Sequence, residues 1–185
     1  MIKMLTGITL TALAATAATV VAWAQGDPGS AAQASPPEVV LSTMHQMNQL
    51  EMNLGQLAEQ KGASEDVRAF GERLYRDHRF GDRKVTGVAA AQDLQLLPPP
   101  QLPAAPKLQS MKQKAQQLQG MGGPSFDGMF LQMMVQSHEM ATSMLADALD
   151  RLPSGPTRQL VSRLLPVLQQ HLELARELQG ETAEH

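Results

Sequence analysis

The sequence predicts an all-α protein: a four-helix bundle with a long proline-rich connector and a short extra helix between the second and third long helices. Three observations carry this. Four long stretches repeat apolar side chains at alternating intervals of three and four, the spacing of one core-facing helical face. Two of the breaks between them, Gly62 to Ser64 and Pro153 to Pro156, are so short that each flanking pair must be an antiparallel hairpin. The third break, from Asp93 to Pro106, contains LQLLPPPQLPAAP, which cannot continue a helix. With 185 residues, 43% hydrophobic and 3% aromatic, the chain can bury one core built from aliphatic side chains and methionine.

Residues 1–24 carry one early cation, Lys3, an apolar run from Ile8 to Trp23, and the small-residue pattern Ala22-Trp23-Ala24. This reads as a secretory signal peptide cleaved after Ala24. It places the protein in the periplasm or otherwise outside the cytoplasm, with outer-membrane association left open and no membrane span after cleavage. Residues 25–37, including GDPGSAAQASPP, read as a flexible linker. The bundle is expected over 38–180 and a tail over 181–185.

The first helix is expected from about Glu38 to Lys61, stopped by Gly62, with the stripe Val40, Met44, Met47, Glu51, Leu54, Ala58 and Lys61. Ser64 caps the second, whose first turn holds Glu65 and Asp66 against the positive end of the helix dipole. Its stripe is Val67, Gly71, Leu74, His78, Gly81, Val85 and Val88. Gly71 and Gly81 imply either close backbone approach or room beside His78. After the connector comes a polar helical piece at about Lys107 to Gln119. The next long helix should begin near Ser125 and end before Pro153, with Leu131, Met134, His138, Ala141, Leu145, Ala148 and Leu152 on one face. The last begins at Pro156, a residue suited to a first helical turn, and carries Leu160, Leu164, Val167, His171, Leu174 and Leu178. Pro166 removes a backbone donor there and should kink the helix and free the carbonyl of Ser162.

Each stripe is interrupted once near its middle by a titratable residue: Glu51, His78, His138 and His171. Glu51 lies 11 residues before Gly62 and His78 14 after Ser64, while His138 and His171 each lie 15 from Pro153 and Pro156. At about 1.5 Å per residue the first pair sits roughly 16 to 21 Å from its turn, and the second pair at nearly the same depth from its own. The four side chains therefore fall in one mid-bundle layer for either direction of the connector. Helical bundles build internal metal sites in this way. The set suits one transition-metal ion (Zn, Cu, Fe or Mn), with Asn48 and Asp77 as supporting hydrogen-bond partners and no organic cofactor. The competing account is a metal-free network in which Glu51 pairs with a protonated histidine.

Other chemistries lack support. The chain has no cysteine, so disulfides, thiolate metal sites and a lipoprotein anchor are excluded. The formal charge is -3 and no basic run occurs, which argues against nucleic acid as a partner; oligomeric state is not readable. No nucleophile, P-loop or HExxH motif is present, and no reaction can be named. The Glu-x-x-His pairs of di-iron carboxylate bundles are also missing. The methionines at 44, 47, 52, 129, 133, 134, 140 and 144 read as core packing rather than a copper site. His45 and His185 take no role.

The segments NQLEMNLGQLA, VRAFGERLYRDH, FDGMFLQMMVQSH and LPVLQQHLELA, within Val39 to Leu178, resemble the family catalogued as domain of unknown function 4142. That resemblance implies an exported bacterial protein with a ferritin-like four-helix fold and supplies no activity. Where many members resemble F-D-x-x-Y, this chain has Phe130, which takes a tyrosine hydroxyl out of consideration. The alternative to a metal-binding role is a non-enzymatic structural or stress-related envelope protein.

Overall fold

A computed structural model describes residues 35–183; the expected signal peptide, most of the linker and His185 lie outside them. Five α-helices account for the described chain: α1 Pro36–Lys61, α2 Glu65–Ala91, α3 Ala105–Gln119, α4 Gly123–Arg151 and α5 Pro156–Ala183, with a 3-10 turn at Pro99–Gln101. No strand occurs among the described residues.

Helix α1 begins two residues earlier than its stripe suggests, because Ser35 caps it. The Ser35 hydroxyl accepts from Glu38 N at 3.4 Å and the Glu38 carboxylate accepts from Ser35 N at 3.3 Å, with Pro36 preset for the first turn. Ser64 caps α2 as expected, accepting from Val67 N at 3.1 Å. Helix α5 starts at Pro156 and runs as one helix through Pro166.

Helices α1 and α2 form one hairpin, α4 and α5 a second, and α2 faces α5 while α1 faces α4. Three cross-hairpin ties fix the layout. At one end, both carboxylate oxygens of buried Asp127, near the start of α4, accept from the turn amides of Ala63 and Ser64 at 2.8 Å each. In the middle, Asp77 meets His171 at 3.1 Å. At the other end, Gln92 Nε2 donates to Thr157 Oγ1 at 2.9 Å. The start of α4 therefore lies at the α1–α2 turn and the start of α5 at the far end of α2. It follows that α1 and α4 are antiparallel, as are α2 and α5, and that the connector returns along the full length of the bundle.

Helix α3 makes that return, packed over α1 and α4 and buried through Leu108 and Leu118. The Lys61 ammonium donates to the carbonyls of Gln119 and Met121 at the end of α3, where a helix carries partial negative charge. Leu97 N donates to Ser42 Oγ at 2.8 Å and ties the connector's first half to α1.

The two hairpins are held differently. Within the first, Gly55 and Gly71 let the backbones touch: a Cβ on Gly71 would stand 2.6 Å from Gly55 O, and one on Gly55 2.6 Å from Gly71 O. Gly81 is different, since its nearest neighbours would be the Asn48 amide atoms at 3.7 and 3.8 Å. Close approach explains Gly71, and room beside the histidine layer explains Gly81. Below that layer Phe126 stacks on Phe130 at 5.9 Å, and Phe130 meets Phe70 edge-on at 6.0 Å. The α5 stripe is the least well covered, with Leu164, Val167 and Leu174 only partly buried while Val161, Leu172 and Ala175 join the core. No helix among the described residues is long and apolar enough to cross a membrane.

Candidate metal centre

His78 from α2, His138 from α4 and His171 from α5 converge in the centre of the bundle. One ring nitrogen of each lies within 4.8 Å of the others, and the ring centroids are 5.3 to 5.6 Å apart. All three are buried, His171 completely. Glu51, 1% exposed, lines the same cavity of about 40 Å³. It stands outside the close trio of nitrogens.

Each imidazole is held by one nitrogen and leaves the other unpaired. His78 Nδ1 meets Asn48 Oδ1 at 2.9 Å, His138 Nδ1 meets the Met134 carbonyl at 2.9 Å, and His171 Nε2 meets Asp77 Oδ2 at 3.1 Å. Every one of these partners accepts, so each bonded nitrogen carries a proton and, in the neutral ring, the opposite one presents a lone pair. Those opposite atoms are His78 Nε2, His138 Nε2 and His171 Nδ1, and all three are buried without a partner. So are both carboxylate oxygens of Glu51 and the Nδ2 of Asn48. Among the described residues, every buried side-chain nitrogen or oxygen that lacks a partner belongs to this one cavity. Buried polar groups are normally satisfied, and leaving one bare costs about 1 to 3 kcal/mol. Five acceptor atoms around one cavity call for a cation or a proton.

The electrostatics point the same way. Burial drives the His78 pKa well below the usual imidazole range, with His138 and His171 adding to the effect. Burial and then His138 push His171 down to about 4, against the pull of Asp77. Two of the three rings are thus neutral and able to ligate at neutral pH. Burial raises Glu51, opposed by the charge of His138 and by the nearby Ser137 hydroxyl, which donates to the Met134 carbonyl at 3.2 Å and leaves the carboxylate without a hydrogen bond. Burial would also raise Asp77, but the hydrogen bond and charge of His171, followed by those of Arg76, hold its carboxyl below the usual range.

The two supporting residues act on partners other than their sequence neighbours. Asn48, one turn before Glu51, serves His78 on the adjacent helix. Asp77 adjoins His78 in sequence yet serves His171, and is itself steadied by Arg73 at 3.5 Å and Arg76 at 3.2 Å. Sequence reasoning missed the Met134 carbonyl and Asp127, since neither a backbone acceptor one turn back nor a turn-capturing carboxylate has a spacing signature. It also passed over His45. That ring meets Asp82 at 2.7 Å, and Gln49 donates to the other Asp82 oxygen at 2.8 Å, forming a polar rung one turn along the hairpin from the Asn48–His78 pair. Phe130 is fully buried in the aromatic stack and carries no polar group toward the site.

Neither a curated protein nor a solved structure matches the chain. Residues 23–178 match the family described as Domain of unknown function (DUF4142), which covers most of the 185 residues and includes all five residues whose unpaired atoms face the cavity, so the chain belongs to that family.

Proposed function

We propose that this protein is an exported, periplasmic helical bundle that holds one transition-metal ion through His78, His138, His171 and Glu51, with Asn48 and Asp77 orienting the rings. The observation that carries the reading is the convergence of three oriented imidazole lone pairs and a bare carboxylate on one buried cavity. A tetrahedral ion with bonds of about 2.1 Å spaces its ligand nitrogens by about 3.4 Å, so the trio, within 4.8 Å, closes on it with a contraction of at most about 1.4 Å. Three nitrogens and one oxygen suit Zn, Fe, Mn or Cu. A single long crossover between two hairpins is the connectivity of ferritin-like bundles, which supports a four-helix, ferritin-like assignment with α3 as an addition. Lys3, the apolar run to Trp23 and Ala22-Trp23-Ala24 support export.

Elemental analysis of protein purified without chelator or histidine tag, before and after offering Zn, Cu, Fe and Mn, tests the metal. The expected value is about one equivalent, and less than about a tenth sinks the reading. N-terminal sequencing from the native host should begin at or near Gln25, and a retained Met1 would overturn export.

One observation favours a second reading. Because burial raises the Glu51 pKa, a neutral carboxylic acid could donate its proton to one of the three imidazole lone pairs. The layer would then be a metal-free polar network that fixes the bundle's register, in a non-enzymatic envelope protein.

A further inference from the structure

A surface groove of about 700 Å³ runs between the start of α1, the start of α3 and the end of α4. It adjoins the histidine cavity, and the side chains that line both spaces are Met47 and Met144. Met140, one turn from Met144, lines the groove, and Met44, one turn from Met47, lines the cavity. Burial increases along this line: Met140 and Met144 are partly buried, while Met47 and Met44 are 7% and 6% exposed. Met47, Met140 and Met144 belong to one packed cluster, and Met144 also packs in the cluster that contains Met44. Four thioethers thus lead from solvent to the cavity.

We infer that this methionine line is the loading route of the metal site, and that the ion it passes is soft and monovalent, Cu(I) in chemical class. The inference rests on the metal reading of the histidine cavity. The two side chains that groove and cavity share offer an ion only thioether sulfur. A hydrated divalent ion crossing it must shed water with no oxygen or nitrogen donor in exchange. Cu(I) binds thioethers well, tolerates low coordination numbers, and can pass from one sulfur to the next without a charged ligand being buried. Methionine's flexible, unbranched chain also lets the partition open without moving a helix. At the inner end the ion meets the imidazole lone pairs.

The test presents Cu(I), held by the coloured chelator bicinchoninate, to the metal-free full chain and follows loss of the chelate colour. Loading of Co(II), read from its visible bands, runs in parallel. Met47→Leu combined with Met144→Leu keeps core volume and removes sulfur. The expected result is Cu(I) transfer slowed on the order of tenfold, with Cu(I) stoichiometry and the Co(II) rate unchanged. Cu(I) rates equal within about twofold overturn the route, as does equal slowing of both ions, which would mark a packing effect. Co(II) uptake without Cu(I) uptake by the unmodified protein overturns the route and leaves the metal reading standing. Uptake of neither ion ends both. Should circular dichroism show the double variant unfolded, Met144→Leu alone, at a partly buried position, decides by the same criteria.

Discussion

Asn48 Oδ1 accepts the Nδ1 proton of His78 across the α1–α2 interface at 2.9 Å, and that bond turns the Nε2 lone pair of His78 into the cavity. Replacing the amide with a hydrocarbon of similar size should free the ring to rotate and change tautomer. Asn48→Leu is expected to weaken metal binding by about 10- to 100-fold in competition with a chromophoric chelator, with the helical content retained. Unchanged affinity would show that the ring is oriented by something else.

His138 separates the two accounts of the buried layer. If it is a ligand, His138→Leu abolishes or strongly weakens metal uptake while the apoprotein stays about as stable as before. If it satisfies Glu51 in a metal-free network, the same change strands a carboxylate at a cost of about 3 to 5 kcal/mol, and adding Glu51→Gln recovers much of it. A double-mutant cycle in urea, run with and without metal, reads the coupling directly.

The pH dependence of the apoprotein has a definite sign. Burial pushes His171 down to about 4 in the folded chain against 6.5 in its reference state, and it holds His78 well below the usual imidazole range as well. Between those values the unfolded chain binds protons that the folded chain refuses, so stability is complete above 6.5 and falls as pH drops toward 4. Glu51, raised from 4.5, contributes with the opposite sign, since its contribution diminishes as pH rises. Asp77, lowered from 3.8, matters only below this window. The histidines act together, and unfolding free energies from urea titrations in EDTA between pH 7.5 and 4.5 should decline, by a few kcal/mol overall. A rise on acidification would make Glu51 the dominant group.

Gly71→Ala and Gly81→Ala should move stability in opposite directions. A methyl on Gly71 meets backbone at 2.6 and 2.8 Å, which overpacking places at a cost of about 1 to 3 kcal/mol. A methyl on Gly81 finds nothing nearer than 3.7 Å and should gain up to about 1 kcal/mol from helix propensity. Denaturant midpoints of the two variants make the comparison.

Asp127→Ala removes two charge-assisted bonds to the α1–α2 turn, at 2.8 Å each, from a position only 3% exposed. A loss of about 2 to 4 kcal/mol is expected in chemical denaturation. A change below about 0.5 kcal/mol would mean that water replaces the carboxylate freely.

The helices were legible because burial on one face leaves a periodic record: every apolar member of the α4 stripe, from Leu131 to Leu152, is buried as its spacing requires. The four interruptions were legible for the same reason, each being a polar residue on that face, and all four line one cavity. What spacing could not supply was pairing. Asp77 borders His78 in sequence, yet helical geometry sends consecutive side chains in different directions, and its carboxylate reaches α5 instead. The close contact of Gly55 with Gly71 escaped notice because Gly55 lies beside its stripe, where a missing side chain leaves no hydrophobic trace. The direction of the connector was equally hidden, being set by Asp127 and the Ala63 and Ser64 amides across the fold.

The three ties between the hairpins lie at different levels: Asp127 on the turn amides, Asp77 on His171, and Gln92 on Thr157. Two packed helical hairpins could otherwise slip past one another by a turn, about 5.4 Å, and recover much of their apolar contact in a new alignment. Here a slip of that size breaks all three ties together and offers the buried carboxylate of Asp127 nothing in return. The polar contacts therefore work as a vernier. They select one alignment from several that the greasy faces alone would tolerate, and residues far from the histidines decide that the three rings arrive at the same height.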